Sequence, residues 1–298
     1  MKNSWNIVKK TFALSIPYKI RQIFPECICK HLHFKGKFSA RLNGQVLFEL
    51  WSNGYVIENQ IFWKGVENSH EKLSLKLWIK LITELQPQII WDIGSNTGIY
   101  GLVGKTLAPN SRVLLFDPLI SAIGFAQLNF DINHLEGEFH NVALGDFSGE
   151  AEVFLNKKDT FAYSVTVNKN LLNSSEYNVM RINVKRAEEF VNNSDEIPQL
   201  VKIDVETFEP EVLRGFASIN LTNTTFLIEI LTNELGQQIQ KILTPENFIY
   251  VNINDEKDTC RTQKNLSKSD YYNFLIIPRK MNQLQYLQIM SFLDSFQT

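Results

Sequence analysis

Asp92 follows the apolar run Ile89 to Trp91, Asp117 follows the next one, Val113 to Phe116, and Gly94 and Gly98 lie between the two acids. A carboxylate at a strand end followed by a glycine turn into a helix is how a doubly wound sheet holds a nucleoside cofactor. The spacing here is D-x-G-x-x-x-G. The dinucleotide fingerprint needs G-x-G-x-x-G so that the backbone can approach a pyrophosphate, and a pyrophosphate is therefore not the expected ligand. Asp117 falls nineteen residues after Gly98, where a second carboxylate can take the paired hydroxyls of a ribose.

Two acids so placed fit S-adenosylmethionine, whose amino acid ammonium Asp92 would attract and whose ribose Asp117 would hold. That cofactor has no phosphate, so no basic loop is required. The cofactor-binding candidates are Asp92, Gly94, Asn96, Thr97, Gly98, Asp117, Ala143 and Asp204. The plainer alternative is that Gly94 and Gly98 only make a tight strand-to-helix turn.

Methyl transfer from a sulfonium to a hydroxyl needs acceptor oxygen, methyl carbon and sulfur in line, and a base for the hydroxyl proton. Candidate bases stand where further apolar runs end: Asp204 first, Glu229 second, and Glu206 beside them. A partly buried carboxylate can have its pKa raised toward neutrality and serve. The alternative is that Asp204 and Glu206 cap the next helix or bind cofactor without proton transfer. Three carboxylates in one crevice could instead hold Mg2+ and acidify the acceptor, but no metal ligand is assigned. Tyr163 and Ser164 are candidate contacts for a polar acceptor, and His134 and His140 read as loop or surface histidines. In Cys27-Ile28-Cys29-Lys30-His31-Leu32-His33, extended backbone would put the outer pair roughly 20 Å apart, too far to share one ion.

The elements that must position these residues alternate. Residues 45 to 63 hold two apolar runs around Asn53-Gly54, a hairpin signal. Asn68 with Glu71 suggests a capping box for a helix bearing Leu73, Leu77, Trp78 and Leu81 and ending before Pro87. Strand and helix then alternate: Val113 to Phe116, the helical stretch Ile120 to Phe130, strand Phe139 to Leu144, strand Leu200 to Val205, helix Glu209 to Phe216, strand Phe226 to Ile230. Such alternation implies an α/β, doubly wound, Rossmann-like parallel sheet. Phe248 to Ile253 and Tyr272 to Ile277 suit an antiparallel hairpin at its edge. The expected division is a basic extension over 1–45, a β-hairpin and helix cap over 46–86, a cofactor domain over 87–280 and a C-terminal helix over 281–298. Segment 150–191 is read as an inserted lid over the cofactor mouth, because a long polar loop in a compact domain is usually functional.

Composition limits the partners. A chain of 298 residues with a net charge of −2 is an ordinary globular one, and bulk nucleic-acid binding is not expected. Three cysteines, two of them one residue apart, argue against a disulfide framework, and without a membrane-length apolar run or secretory leader the expected location is cytoplasmic. Residues 1–45 hold nine Lys or Arg against Glu26, about +8, and the remainder is about −10. With Trp5, Phe12, Tyr18, Ile20 and Phe24 interleaved, this segment could make peripheral contact with an anionic membrane. The plainer reading is a solvated extension.

Four blocks together, W-D-I-G-S-N-T-G, F-D-P, N-V-A-L-G-D-F-S-G and K-I-D-V-E-T-F-E-P-E-V-L-R-G, resemble FkbM-type methyltransferases, a branch of the class I S-adenosylmethionine-dependent enzymes. The resemblance covers about residues 55 to 280 and is most specific from Lys202 to Gly215. It implies a seven-stranded, mostly parallel sheet with an antiparallel last strand, and methylation of a hydroxyl on a sugar, glycan, glycolipid or natural product, which suggests polysaccharide biosynthesis. Two positions depart from the family: Thr207 stands where glycine is common, and Asp117 where glutamate is. A position that favours glycine needs positive φ or close backbone approach. The competing readings are a non-catalytic cofactor-binding scaffold in a polysaccharide or secondary-metabolite cluster and, more distantly, a nicotinamide-dependent oxidoreductase.

Overall fold

The computed structural model describes residues 2–156, 165–166 and 177–297. Three helices open the chain, α1 (Lys2–Ser15), α2 (Tyr18–Arg21) and α3 (Glu26–Cys29). Next come the antiparallel strands β1 (Gly36–Leu42) and β2 (Gln45–Ser52), followed by α4 (Val56–Lys64). The hairpin therefore turns at Asn43-Gly44 and not at Asn53-Gly54, and it straddles the expected boundary at residue 45. Asn43 and Gly44 both have positive φ, 50° and 83°, the conformation a tight hairpin turn requires. Residues 56–64 are helical because Glu58-Asn59-Gln60 breaks the period of two, while Ile61, Phe62 and Trp63 turn into the core.

Helix α5 (Lys72–Leu85) starts without the expected capping box. Asp255 caps it from a distant strand end instead, accepting from the backbone N–H and the hydroxyl of Ser74, both at 2.7 Å. Then follow β3 (Ile89–Ile93), α6 (Ile99–Leu107), β4 (Arg112–Phe116), α7 (Ile120–Asp131) and β5 (Glu138–His140). The expected strand Phe139 to Leu144 is split. Asn141 Nδ2 donates to the carbonyls of Asp117 and Pro118 and turns the chain away. The next piece, β6 (Ala143–Gly145), then joins β7 (Gly149–Asn156), β8 (Val165–Thr166) and β9 (Tyr177–Arg186) in a separate four-stranded sheet.

The remaining elements are β10 (Leu200–Ile203), α8 (Glu209–Arg214), β11 (Thr225–Glu229), α9 (Asn233–Ile242), β12 (Phe248–Asn254), β13 (Thr259–Gln263), β14 (Asn273–Pro278) and α10 (Gln283–Asp294). The main sheet has the order β13-β12-β14-β11-β10-β3-β4-β5. From β5 to β11 all neighbours are parallel, and β14 runs antiparallel to both β11 and β12. The seven-stranded arrangement with an antiparallel last strand is thus present, with β13 added as an eighth strand at the edge. Strands β12 and β14 do pair as expected, but β14 is interior; it is buried along its whole length and needs a neighbour on each side.

Alternate strand residues feed two apolar layers, as the period of two demands. Ile90, Val113 and Leu115 meet α5, α6 and α10 on one face, while Trp91, Leu114 and Phe116 join Val212, Leu213 and Ile239 on the other. Strand β2 docks on α7 and the turn that follows it through two asparagines four residues apart. Asn129 accepts from Trp51 N–H at 2.9 Å, and Asn133 accepts from Glu49 N–H and donates to its carbonyl, both at 2.7 Å. These bonds cover an otherwise open strand edge.

Residues 18–24 are packed and not simply solvated. Arg21 is buried, donates to the Phe62 carbonyl at 3.3 Å and lies 4.2 Å from the centre of the Phe62 ring, and Lys64 donates to the carbonyls of Gln22 and Phe24. Arg21→Ala is expected to lower the stability of the fold by about 2 kcal/mol. Urea unfolding of the two proteins checks this; an unchanged midpoint would mean that the segment contributes nothing to the core.

Candidate functional site

The glycine turn is built by close backbone approach. Gly94 has φ 73°, and a Cβ there would overlap the Asp204 carbonyl. Gly98 has φ 78°, and its Cβ would press on Ala126 and Leu115. Both positions exclude a side chain for two reasons at once. Asn96 also has positive φ, 48°, which asparagine tolerates better than most residues. Asp92 Oδ2 accepts from Gly101 N–H at 2.8 Å and so ties β3 to α6. Asp117 accepts twice, from Asn96 N–H at 3.0 Å and Leu119 N–H at 2.9 Å. Asp92 is therefore fixed to the first turn of α6 and Asp117 to the glycine turn that precedes it.

A cavity of about 440 Å³ opens at the carboxyl ends of these strands, within the range of small-molecule sites. It is lined by Asp92, Gly94, Asn96, Thr97, Asp117, Ala143, Asp204, Glu206 and Glu229. Gly98 is the one cofactor candidate that does not line it; it shapes the turn from behind. Val153 and Ile182, from β7 and β9, form part of the wall, which places the base of the inserted segment at the cavity. Tyr163 and Ser164 lie outside the described residues. Two turn atoms, Ser95 Oγ and Asn96 Oδ1, are buried without a hydrogen-bond partner among the described residues. Polar atoms in that state suit a polar ligand.

Sequence reasoning missed a second set of residues around Lys202. This lysine sits in β10, fully buried, and its ammonium lies 3.1 Å from Asp204 Oδ2, 3.4 Å from Asn273 Oδ1 and 5.1 Å from the centre of the Tyr100 ring. Burial alone would lower its pKa, but Asp204, Glu71 and Glu229 outweigh that and hold it above the usual lysine range. Glu71, at the start of α5, accepts from the Tyr100 hydroxyl at 2.6 Å and has His70 at 4.0 Å. Burial would raise Glu71; Lys202, His70 and Tyr100 bring it below the usual carboxylate range. Glu229 is different. Burial, then the field of Asp204, pushes it far up, so that it keeps its proton at neutral pH. The one signal in the sequence is a lysine inside the otherwise apolar Leu200-Val201-Lys202-Ile203.

Glu209 fixes the turn beyond Asp204 by accepting from Val205 N–H at 3.2 Å and Thr207 N–H at 3.1 Å. Burial pushes it up to about 8. Thr207 has φ 83° and Glu206 φ 55°. The position where glycine is common thus adopts the left-handed conformation that favours glycine, and a β-branched residue there carries backbone strain.

His134, His140 and the Cys27–His33 run stand apart from the cavity lining, whereas His70 is part of it. His140 stacks on Phe116 at 4.9 Å between ring centres, and burial lowers its pKa. Residues 26–29 are helical rather than extended, with Cys27 exposed and Cys29 buried. Among the described residues no group of three or more His, Cys, Asp or Glu side chains is placed to hold a metal ion. Among them, too, no helix is long and apolar enough to cross a membrane.

A family model described as "Methyltransferase FkbM domain" matches residues 92–266, and the chain belongs to that family. The match spans the glycine turn, Asp117, the Lys202 to Gly215 block and Glu229, and it makes the protein a methyltransferase by family. A curated relative, "Methyltransferase 1" of Beauveria bassiana (strain ARSEF 2860), is 25% identical over 166 residues, covering 50% of this chain and 67% of that protein. Among solved structures, the ribosomal protein L11 methylase from Lactobacillus delbrueckii subsp. bulgaricus overlaps 69% of this chain and 76% of its own, with TM-score 0.39 and 11% identity. The plantazolicin methyltransferase BpumL in complex with SAH overlaps 78% of this chain and 81% of its own, with TM-score 0.38 and 12% identity.

Burial pushes Asp92 up to about 7 against the opposing bond from Gly101. Its unfolded value is near 3.9. Stability from this group is fully present below the unfolded pKa. It is lost as pH rises toward 7, because the folded state then holds a proton that the unfolded state releases. Asp92→Asn is therefore expected to be more stable than wild type at pH 8, by on the order of 2 kcal/mol, with the gap closing toward pH 4. Urea unfolding across that range measures it; a gap independent of pH would contradict the assignment.

Proposed function

We propose that this cavity binds S-adenosylmethionine and that the chain transfers its methyl group to a hydroxyl oxygen of a sugar, glycan, glycolipid or natural product. The observation that supports this most is the convergence of Asp92, Asp117 and Asp204 on one cavity. Asp92 suits the ammonium of the cofactor: a cation beside a buried carboxylate offsets the burial that raises its pKa. Asp117 keeps free lone pairs on both oxygens for ribose hydroxyls. The turn 94–98 offers uncharged polar groups, which fits a ligand without phosphate. Bound there, the cofactor would supply an electrophilic methyl on a sulfonium whose sulfur is the leaving group.

The remaining steps belong to the chain. Asp204 is the base. Its carboxylate lies 3.1 Å from the Lys202 ammonium, is partly exposed and lines the cavity. It takes the hydroxyl proton as the acceptor oxygen bonds to the methyl carbon. Glu229 keeps its proton at neutral pH and so orients the acceptor as a hydrogen-bond donor instead of acting as the base. Glu206, on the strained turn, lines the acceptor side. No step requires a metal.

Asp204→Asn keeps the shape and an acceptor for Lys202 but loses the base. Turnover of methyl-labelled cofactor on a panel of sugars and glycolipids is expected to fall by about 10²- to 10⁴-fold, with cofactor affinity within a few-fold of wild type. Equal turnover by the variant would remove Asp204 as base. No turnover by either protein would favour the scaffold reading.

A further inference from the structure

Helix α1 is amphipathic in the reverse sense. An ordinary surface helix turns its apolar stripe to the core and its polar side to water. Here the side that meets the body is polar or small. Asn6 exchanges hydrogen bonds with the backbone of Lys35, at 3.1 and 2.8 Å. Lys10 lies against Gly36, and Ala13 is fully buried. These three recur at i, i+4 and i+7. The opposite side carries Trp5, Val8 and Phe12 at i, i+3 and i+7, 65%, 53% and 51% exposed, while Ile7 and Leu14 are exposed on a separate flank of the helix. Just beyond the helix, Ile20 and Ile23 are also exposed.

A contiguous apolar face of this kind, left open to water, marks a surface that meets something. What it meets is indicated by charge. Residues 1–45 carry nine basic residues against one acid while the remainder of the chain is net negative. Lys9 and Lys10 lie on α1 itself, and Lys35, beside Asn6, and Lys37 are exposed. Aromatic and branched side chains on one face, with Lys9 at its border and a net positive charge across the whole segment, match a helix that lies in the plane of an anionic bilayer. There the apolar side chains enter the acyl boundary and the ammonium groups stay among the headgroups. A protein partner would not need a segment so consistently of one sign of charge.

We infer that α1 docks the protein on an anionic lipid surface through Trp5, Val8 and Phe12, with Lys9 at the headgroups and the net positive charge of residues 1–45 adding to the attraction. The docking is peripheral and separable from the cavity, since none of these residues lines it.

The test is co-sedimentation of the full chain with vesicles of phosphatidylcholine, with and without phosphatidylglycerol. Trp5→Glu/Phe12→Glu is the comparison, because both side chains are exposed and the fold should tolerate the change; its far-ultraviolet circular dichroism and urea midpoint verify that. The expected result is binding to the anionic vesicles alone, weakened by salt, and reduced by about tenfold or more in the double variant. Absence of wild-type binding, or equal binding by the variant, overturns the proposal. So does a dimer in sedimentation velocity that the double variant dissociates in the absence of any vesicle binding, since the face would then be closed by a second copy.

Discussion

One buried ammonium decides which acids around the cavity can carry charge. Lys202 is surrounded by Asp204, Glu71 and Glu229 and is wholly removed from water. A single cation cannot neutralise three carboxylates, and isolated buried charge is too costly to persist. The arrangement resolves this by position. Asp204 pairs directly with the ammonium, Glu71 is satisfied by Lys202, His70 and Tyr100, and Glu229 retains a proton. Three acids thereby acquire three roles within one sheet end, and the assignment of Asp204 as base rests on that division.

The same constraint shapes the backbone. Asp204 can face the cavity only because Gly94 lets its carbonyl come close, and the chain beyond it must then double back through Glu206 and Thr207, both at positive φ. Glu209 holds that turn through two backbone N–H groups. Strain at Thr207 is thus tied to the presentation of Asp204 and Glu206, as strain at a site commonly is. On the other side, Asn129 links the hairpin to the turn by donating to the Thr97 carbonyl at 3.0 Å while accepting from Trp51. The β1–β2 hairpin is therefore tied to the glycine turn through a short chain of hydrogen bonds.

What was legible in the sequence was local. Strand-end acids and positive-φ glycines are specified within a few residues, so Asp92, Gly94, Gly98 and Asp117 could be placed before any tertiary contact was known. Thr207 stood out only through the family resemblance, which puts glycine at that position. The partners of Lys202 were not legible, because Glu71 and Asn273 come from α5 and β14, distant in sequence and brought close only by the strand order. The hairpin shows the limit of a dipeptide signal. Asn43-Gly44 and Asn53-Gly54 are equivalent as turn chemistry, and the flanking periodicity decides between them. The start of α5 fails for a related reason: its cap is Asp255, at the end of β12 on the far side of the sequence.

The account depends most on the cavity being the seat of S-adenosylmethionine. Calorimetric titration of the purified protein with that compound, beside Asp92→Ala, tests it directly. The account predicts saturable binding by the wild type that the folded variant loses. A folded wild-type protein that binds no S-adenosylmethionine would contradict it.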